Sequence, residues 1–364
     1  MHRSSFCTKF LKRKLSSSSI SSSKPIPNET IGAKKRIFSG IQPTGSLHIG
    51  NYFGAVRRWK ELQDEGEDVI FSVVDLHSIT LRQEPKELSR NILNCTASLL
   101  ASGINAEKCI LFLQSSVSRH AELSWVLACL ATMPRLGHLP QYKEKSVSMK
   151  EIPLGLFIYP VLQSADIMLY KATHVPVGED QLQHIQLAQH LGNTFNARYG
   201  HTFPPIKAMV EESGVARLRS LRNPEKKMSK SDPDPKSRIS LVDEPKVIVE
   251  KCKKAITDFT SEVTYDPEGR RGVATLIDLV SLCTGKPPHQ VCSENSDIDT
   301  GKFKLRVADV LIETLKPIRE EYNRLVKDPS HIKSVLDNGA ERAHSIADKT
   351  WSEVRKKVGI TLQK

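Results

Sequence analysis

Short apolar runs and helical spacings alternate along the first half of the chain. Residues 37–41, 69–74 and 109–113 are three such runs, rich in the aliphatic side chains of buried strands. Between the second and the third, apolar residues recur every three or four positions, which predicts a helix that begins at Pro85 and ends at Gly103. Strands separated by helices in this way predict a parallel sheet with right-handed crossovers.

Beyond about residue 236 the strand-like runs stop and only helical spacing remains. The longest apolar repeat extends from Phe303 to Leu325, and Pro317 within it is expected to kink or divide that helix. The last helix should end near Val358 and Gly359, because glycine commonly follows a helix C-terminus. The predicted fold class is therefore α/β, with a parallel-sheet domain followed by an α-helical C-terminal domain.

Two segments carry residues suited to ATP chemistry. The first strand runs directly into residues 42–51, a turn with small residues at the start of a helix. Ligands of parallel sheets bind where strand ends meet helix starts, and a helix N-terminus attracts phosphate. Residues 227–232, with the sequence KMSKSD, are flanked by prolines and predict a surface loop. Taken alone, each has an ordinary explanation: tight packing for the first and a solvated loop for the second.

Together and in this order, the two segments closely resemble the HIGH and KMSKS signatures of class I aminoacyl-tRNA synthetases. The resemblance covers nearly the whole chain from about Arg36, and it looks like the tryptophanyl branch at residues 37–45, 75–80, 142–146, 159–167 and 175–181. One departure is Asn51, which stands where the HIGH signature ends in histidine. The resemblance implies a Rossmann-like catalytic domain that activates tryptophan with ATP and transfers it to tRNA(Trp).

Matched position by position, the family implies three groups of site residues. Groups that act on the reacting phosphates would be Thr44, His48, Asn51, Lys145, Lys227 and Lys230. ATP would contact Gln42, Pro43, Thr44, Gly50, Asn51, Gly178, Glu179, Asp180, Leu218, Lys227, Met228, Ser229, Lys230 and Ser231. Tryptophan would lie among Phe38, His77, Asp166, Val175, Val177 and Gln181. ATP is expected to bind with Mg²⁺, and no metal held by the protein itself is expected.

Asp166 is the residue that best accounts for a preference for tryptophan. It lies in an apolar stretch, where a carboxylate is costly without a partner, and the indole N–H is a donor that a carboxylate can accept. The ordinary alternative is a helix-capping or salt-bridged aspartate. For His77, a position in the core, with its hydrogen bonds satisfied, is nearly as good an interpretation as a position in the wall of the tryptophan pocket. Gln163 stands where many bacterial relatives have methionine.

Three other functions fit part of this pattern. A tyrosyl-tRNA synthetase shares the fold and also needs no editing domain, for which the stretch between Gln114 and Lys145 is too short. A cytidylyltransferase-like nucleotidyltransferase would not need the long helical C-terminal domain. An inactive, synthetase-derived RNA-binding protein should have damaged ATP motifs, whereas Gly50, Lys227 and Lys230 are all present.

Charge and composition change this interpretation mainly at the N-terminus. The chain has a net charge of +12, and residues 1–36 contain nine Lys or Arg and a single acidic residue, Glu29. A basic, serine-rich segment without a long apolar run is typical of an organellar transit peptide rather than a secretory signal. We predict a transit or disordered segment at residues 1–33 and a location in the mitochondrial matrix, with a plastid address or an ordinary tail as alternatives. Seven cysteines without a C-x-x-C pair favour free thiols.

The remaining expectations concern domains and partners. Residues 34–235 should form the catalytic domain and residues 236–364 a helical domain that binds the tRNA anticodon. The expected partners are tRNA(Trp), L-tryptophan and a second copy of the chain, and no membrane partner is expected. Candidates for tRNA phosphate contacts, or simply for a solvated surface, are Lys253, Lys254, Arg306, Arg319, Arg324, Lys356 and Lys357. Candidates for the dimer contact, or equally for a core-facing helix, are Leu123, Val126, Leu127 and Leu130.

Overall fold

A parallel sheet of five strands forms the centre of the protein. The computed structural model describes residues 35–139, 151–210, 218–230 and 232–362. The strands are β1 Arg36–Ile41, β2 Asp68–Val73, β3 Ile110–Leu113, β4 His174–Val177 and β5 Lys207–Val210. They lie in the order β3-β2-β1-β4-β5, and every neighbouring pair is parallel, which confirms the predicted fold class.

The strand order reverses beside β1. The chain adds β2 and β3 on one side of β1 and then crosses to the other side to add β4 and β5. β1 pairs with β2 along its whole length, from Arg36↔Asp68 to Ile41↔Val73, and with β4 at Ile37↔His174. Because the connections after β1 and β4 leave in opposite directions, a crevice is expected at the carboxyl ends of these two strands.

Strands β4 and β5 have no counterpart in the sequence prediction. β4 reads HVPV, so a proline interrupts its apolar run, and β5 reads KAMV with both end residues exposed. Four-residue segments of this composition lack the pattern of a buried strand. Pairing with neighbours, rather than local propensity, defines them.

Helices alternate with the strands as predicted. Up to residue 199 they are α1 Ile49–Asn51, α2 Arg57–Asp64, α3 Asp75–Ser78, α4 Pro85–Ala101, α5 Arg119–Ala128, α6 Met133–Gly137, α7 Leu154–Leu169 and α8 Leu182–Tyr199. A π-helical turn, Tyr52–Val56, joins α1 to α2. Pro85 begins α4, and Gly103 follows its end with φ of +95°, so both predicted boundaries are confirmed. Short 3₁₀ turns occur at Gln114–Ser116, Glu179–Gln181 and Pro235–Ser237.

Residues 236–362 contain no strand, as predicted, and their single β-bridge joins Ser240 to His48. The helices are α9 Pro245–Lys253, α10 Arg271–Thr284, α11 Pro288–Ser293, α12 Thr300–Leu325 and α13 Pro329–Val358, the last followed by Gly359. None of the described helices is long and apolar enough to cross a bilayer.

Pro317 lies inside α12 without dividing it, so that part of the prediction was wrong. Proline removes the hydrogen bond to the carbonyl four residues earlier, here that of Glu313. Both Pro317 and Glu313 are exposed, so water can bind the freed carbonyl. On the opposite face, Leu315 and Ile318 are buried and hold the helix in place.

The last helix lies directly on the sheet. Helix α13 packs along β3, and Arg342 on it donates hydrogen bonds to the carbonyls of Ala106 and Cys109, at 2.6 and 2.9 Å. At Gly339 the approach is so close that a Cβ atom would overlap the carbonyl oxygen of Leu111. Helices from beyond residue 236 therefore cover the sheet edge, and the domain boundary at residue 235 stays a prediction.

We predict that Gly339→Ala strongly destabilises the protein. The added methyl group must displace the α13 backbone from β3, and overpacking of this kind typically costs about 1–3 kcal/mol or more. Gly137→Ala is the matched control, because Gly137 is also helical and a Cβ there meets nothing within 4 Å. Thermal unfolding should show a lower Tm for Gly339→Ala alone. Equal Tm values for the two variants would contradict the close contact.

Candidate active site

Residues predicted to bind ATP and tryptophan surround one cavity at the carboxyl edge of the sheet. The cavity has a volume of about 1010 Å³ and is lined by residues of both β1 and β4. Its lining includes the whole predicted tryptophan group, which is Phe38, His77, Asp166, Val175, Val177 and Gln181. It also includes Gln42, Gly178, Glu179 and Asp180 of the predicted ATP group. The fold thus gathers the tryptophan group and these four residues of the ATP group at the crevice that the strand order creates.

A lysine of the distant KMSKSD loop contacts the turn after β1. Gly45 has φ of +94°, a conformation that favours glycine, and a Cβ there would also lie 3.3 Å from Lys230 Nζ. Lys230 Nζ donates a hydrogen bond to the backbone carbonyl of Ser46 at 2.5 Å. Burial lowers the pKa of Lys230 to about 8. Pro43 and Thr44 lie in this same turn, between the cavity and α1.

His48 caps the helix that follows the turn. Its Nδ1 accepts a hydrogen bond from the Gly50 amide at 3.0 Å, and Asn51 Oδ1 accepts one from the His48 amide at 3.2 Å. A Cβ at Gly50 would lie only 2.8 Å from the His48 ring, so glycine is needed beside this cap. Burial, followed by the charges of Lys230, Arg238 and Lys227, lowers the pKa of His48 to about 4. The neutral ring keeps its Nε2–H, and Asn51 keeps its amide N–H groups, as donors for an anion.

The KMSKSD loop is only partly a surface loop. Lys227 is exposed and pairs with Arg219 in an isolated antiparallel bridge. Met228 departs from the predicted surface loop. Its side chain joins the apolar core, and its amide donates to the Leu218 carbonyl at 3.0 Å. Ser229 continues the loop toward Lys230. Among the predicted site residues, Lys145 and Ser231 lie outside the described residues.

Backbone pairing joins the segment after this loop to the start of α1. The Ile49 amide donates to the Ile239 carbonyl, and the Leu241 amide donates to the Leu47 carbonyl, each at 2.9 Å. The side-chain hydroxyls of Ser46 and Ser240 are 3.3 Å apart. Two motifs that are far apart in sequence are therefore held as neighbours by main-chain hydrogen bonds.

Asp166 is buried beneath the cavity with three hydrogen-bond donors. Oδ1 accepts from Gln114 Nε2 at 2.7 Å and from His120 Nδ1 at 2.6 Å, and Oδ2 lies 2.7 Å from His77 Nε2. Burial raises the pKa of the Asp166 carboxyl, but the His77 charge and the hydrogen bonds from both histidines outweigh it and hold the pKa well below its usual range. Asp166 is thus an ionised, buried acceptor that lines the cavity.

Comparison with known proteins gives the family. The family model for class I tRNA synthetases (W and Y) matches residues 31–316. A tryptophan–tRNA ligase of Caldanaerobacter subterraneus is 44% identical over 329 residues, which are 90% of this chain and 99% of that protein.

The chain belongs to the tryptophan–tRNA ligases of class I.

Solved structures of the family agree with this assignment. Tryptophanyl-tRNA synthetase from Mycoplasma pneumoniae matches with a TM-score of 0.81 and 27% identity over 90% of this chain and 98% of that one. The enzyme from Campylobacter jejuni, solved with ADP and tryptophan, matches with a TM-score of 0.79 and 31% identity over 89% and 99%. The predicted family, fold and enzyme class are therefore confirmed for this synthetase.

Gln114 and His120 are functional candidates of the synthetase that the sequence analysis missed. Both have side chains with no exposed surface, and both donate to Asp166. Gln114 begins the turn after β3, a position that could have drawn attention, because polar residues at the carboxyl ends of parallel strands often face the ligand. His120 lies within a helix and shows its role only through the fold.

Gln181 belongs to a polar chain in the lining of the synthetase cavity. Its Oε1 is 2.9 Å from His184 Nδ1 and 3.3 Å from Gln163 Nε2, and its amide donates to Asp180 Oδ2 at 2.8 Å. Gln163, which departs from the bacterial pattern, therefore contacts a predicted tryptophan-binding residue directly. Gln163 also lines the cavity.

The synthetase should lose stability on acidification partly because of His48. The unfolded chain binds a proton at His48 near pH 6.5, whereas the native state does so only near pH 4. Protonation therefore favours unfolding as the pH falls through this window. His48→Asn keeps a helix cap without a titrating ring. Between pH 7 and pH 5 it should lose less stability than the parent, by about 1–2 kcal/mol in denaturant titrations. Equal losses in both proteins would contradict a buried neutral His48.

Proposed function

We propose that this chain activates L-tryptophan with MgATP at the cavity beside β1 and then transfers it to tRNA(Trp) in mitochondria. The observation that carries the catalytic part is the contact between its two ATP motifs. Lys230 of the KMSKSD loop donates to the Ser46 carbonyl, at the turn that leads into α1. The cavity at the carboxyl ends of β1 and β4 has room for a nucleotide and an aromatic amino acid together.

In the first step the tryptophan carboxylate attacks the α-phosphate of ATP, forming tryptophanyl-adenylate and releasing pyrophosphate. Gly178, Glu179 and Asp180 would contact the nucleotide at the end of β4, while the phosphates approach the donors of His48 and Asn51. Negative charge moves onto the leaving pyrophosphate. A mobile Lys230 would meet that charge and stabilise the transition state more than the bound substrates.

Asp166 would recognise the indole N–H. Each carboxylate oxygen has about two acceptor sites, and Oδ1 already accepts two hydrogen bonds, whereas Oδ2 accepts one among the described residues. Oδ2 is therefore the atom available to the substrate. Phe38, Val175 and Val177 would enclose the apolar part of the ring. A buried hydrogen bond of this kind can reject an aromatic amino acid that lacks the donor.

Lys230→Ala should reduce kcat for tryptophan-dependent pyrophosphate exchange by about 10²-fold or more, because a transition-state charge partner is lost. The KM for tryptophan should change little, since Lys230 addresses phosphate rather than indole. Lys226→Ala is the matched control, because Lys226 has the same charge in the same loop but is exposed and outside the signature. Equal effects of the two substitutions, or a normal rate in Lys230→Ala, would contradict the role of this lysine.

Recognition of tRNA is assigned to the helices beyond residue 236. Of the basic residues expected there, five are exposed and suited to phosphate contacts, namely Lys253, Lys254, Arg306, Arg324 and Lys356. Arg319 is not suited to such contacts. It is only 7% exposed and donates to the Asp243 carbonyl, because its side chain is taken up by packing between α12 and the loop before α9.

A homodimer is supported by an apolar surface on three adjoining helices. Trp125 of α5, Met133 of α6 and Leu154 of α7 are 74%, 68% and 68% exposed. Both α5 and α6 pack on α7, and exposed apolar groups this large often mark a protein interface. The expected contact residues Leu123 and Leu127 are instead buried in the core of the same chain.

Trp125→Ser should therefore shift the protein from dimer to monomer in sedimentation experiments at micromolar concentration. Removing a large aromatic group from an interface commonly costs about 2 kcal/mol or more of association energy. Phe259→Ser is the matched control, because Phe259 is a fully exposed aromatic residue elsewhere on the chain. A dimer that survives Trp125→Ser, or that dissociates equally in both variants, would rule out this face.

The mitochondrial location rests on the composition of residues 1–33. We expect the full chain fused to a fluorescent protein to enter mitochondria, and the chain that starts at Lys34 to stay outside while keeping its pyrophosphate-exchange activity. Import of the shortened chain, or entry of the full chain into plastids instead, would refute the assignment.

A further inference from the structure

His120 contacts Asp166 and is not among the residues that line the cavity. Its side chain has no exposed surface, and its two ring nitrogens have different partners. Nδ1 is 2.6 Å from Asp166 Oδ1, and Nε2 is 2.8 Å from the Tyr170 hydroxyl. His120 does not itself line the cavity, and it reaches residues that do directly at Asp166 and, through Tyr170, at Phe38.

Both nitrogens of the His120 ring have a fixed partner. A carboxylate can only accept, so His120 Nδ1 must donate to Asp166. Nε2 is held by the Tyr170 hydroxyl at 2.8 Å. Burial, followed by the Asp166 charge, raises the pKa of Tyr170 far above its usual range, so the hydroxyl keeps its proton. Tyr170 therefore holds the His120 ring in the orientation in which Nδ1 donates to Asp166.

Gln114 has a similarly fixed orientation. Its Oε1 accepts the Leu76 amide at 3.1 Å, so its Nε2 must point to Asp166 Oδ1. Two oriented donors thus occupy Oδ1. The free acceptor site is left on Oδ2, whose only partner within the described residues is His77. Rotation of the carboxyl group would separate Oδ1 from both donors.

We infer that His120, oriented by Tyr170, is a positioning residue that directs Asp166 Oδ2 toward the indole N–H and so contributes to the selection of tryptophan. This inference rests on the proposed function, in which Asp166 recognises tryptophan. The same contacts could also serve stability alone, by satisfying a buried carboxylate. The two roles differ in what they predict for a substrate that lacks the N–H.

3-(3-Benzothienyl)alanine is the probe, because sulfur replaces the indole N–H while the ring shape is nearly kept. The measured quantity is the ratio of kcat/KM in pyrophosphate exchange for tryptophan over this analogue. In the parent protein the ratio should be about 10²-fold or more. A parent ratio near one would refute the proposed role of Asp166 itself, independently of His120.

Three variants then test the positioning role. Tyr170→Phe keeps the ring, which stacks on Phe38 at 5.5 Å, and removes only the hydroxyl, so it should lower the ratio several-fold. His120→Leu should lower the ratio of kcat/KM by about tenfold or more. His120→Asn, whose amide can still donate near the Nδ1 position, should lower this ratio less. In each case the KM for tryptophan should rise while kcat changes little, since the hydrogen bond is present before reaction.

Ser164→Ala is the matched control, because it removes a fully buried hydroxyl from the same helix as Asp166. That hydroxyl donates to the Pro160 carbonyl at 2.8 Å and does not touch Asp166. In Ser164→Ala the ratio of kcat/KM for tryptophan over the analogue should equal that of the parent protein. If Tyr170→Phe folds and keeps the parent ratio, or if tryptophan and the analogue lose activity equally with a lower Tm, His120 serves stability alone and the inference is wrong.

Discussion

Two backbone hydrogen bonds hold the catalytic end of this synthetase together. They join Leu47 and Ile49, at the start of α1, to Ile239 and Leu241, which follow the KMSKSD loop. The first segment follows β1 in the chain, and the second leads into helix α9. Because main-chain pairing sets their spacing, Lys230 comes to lie over the turn at Ser46. The two segments that resemble the class I signatures therefore lie side by side.

A second constraint is the burial of a single negative charge. Asp166 lies beneath the cavity, where an isolated carboxylate would be prohibitively costly. His77, Gln114 and His120 make it tolerable, and among the described residues they leave one acceptor site unused. In the proposed function, the same contacts that stabilise the fold also define where a ligand can place an N–H group. Stability and amino-acid selection would then depend on one set of hydrogen bonds.

Much of the fold could be predicted from sequence because its central elements are strongly patterned. Strands β1 to β3 and helix α4 have apolar runs and clear end signals at Pro85 and Gly103. Strands β4 and β5 could not be found, since pairing alone makes them strands. The cavity residues were predicted by resemblance, whereas His120 and Tyr170 carry no local signal: a histidine and a tyrosine in helical positions look like ordinary core residues until the fold places them beside Asp166.

The central claim is that this cavity activates tryptophan. Its most direct test is ATP–pyrophosphate exchange by the purified chain with each of the twenty amino acids in turn. We expect rapid exchange with tryptophan and at least about 10²-fold lower kcat/KM with tyrosine or phenylalanine, which offer no indole N–H to Asp166. Preferred exchange with tyrosine, or none with any amino acid, would contradict it.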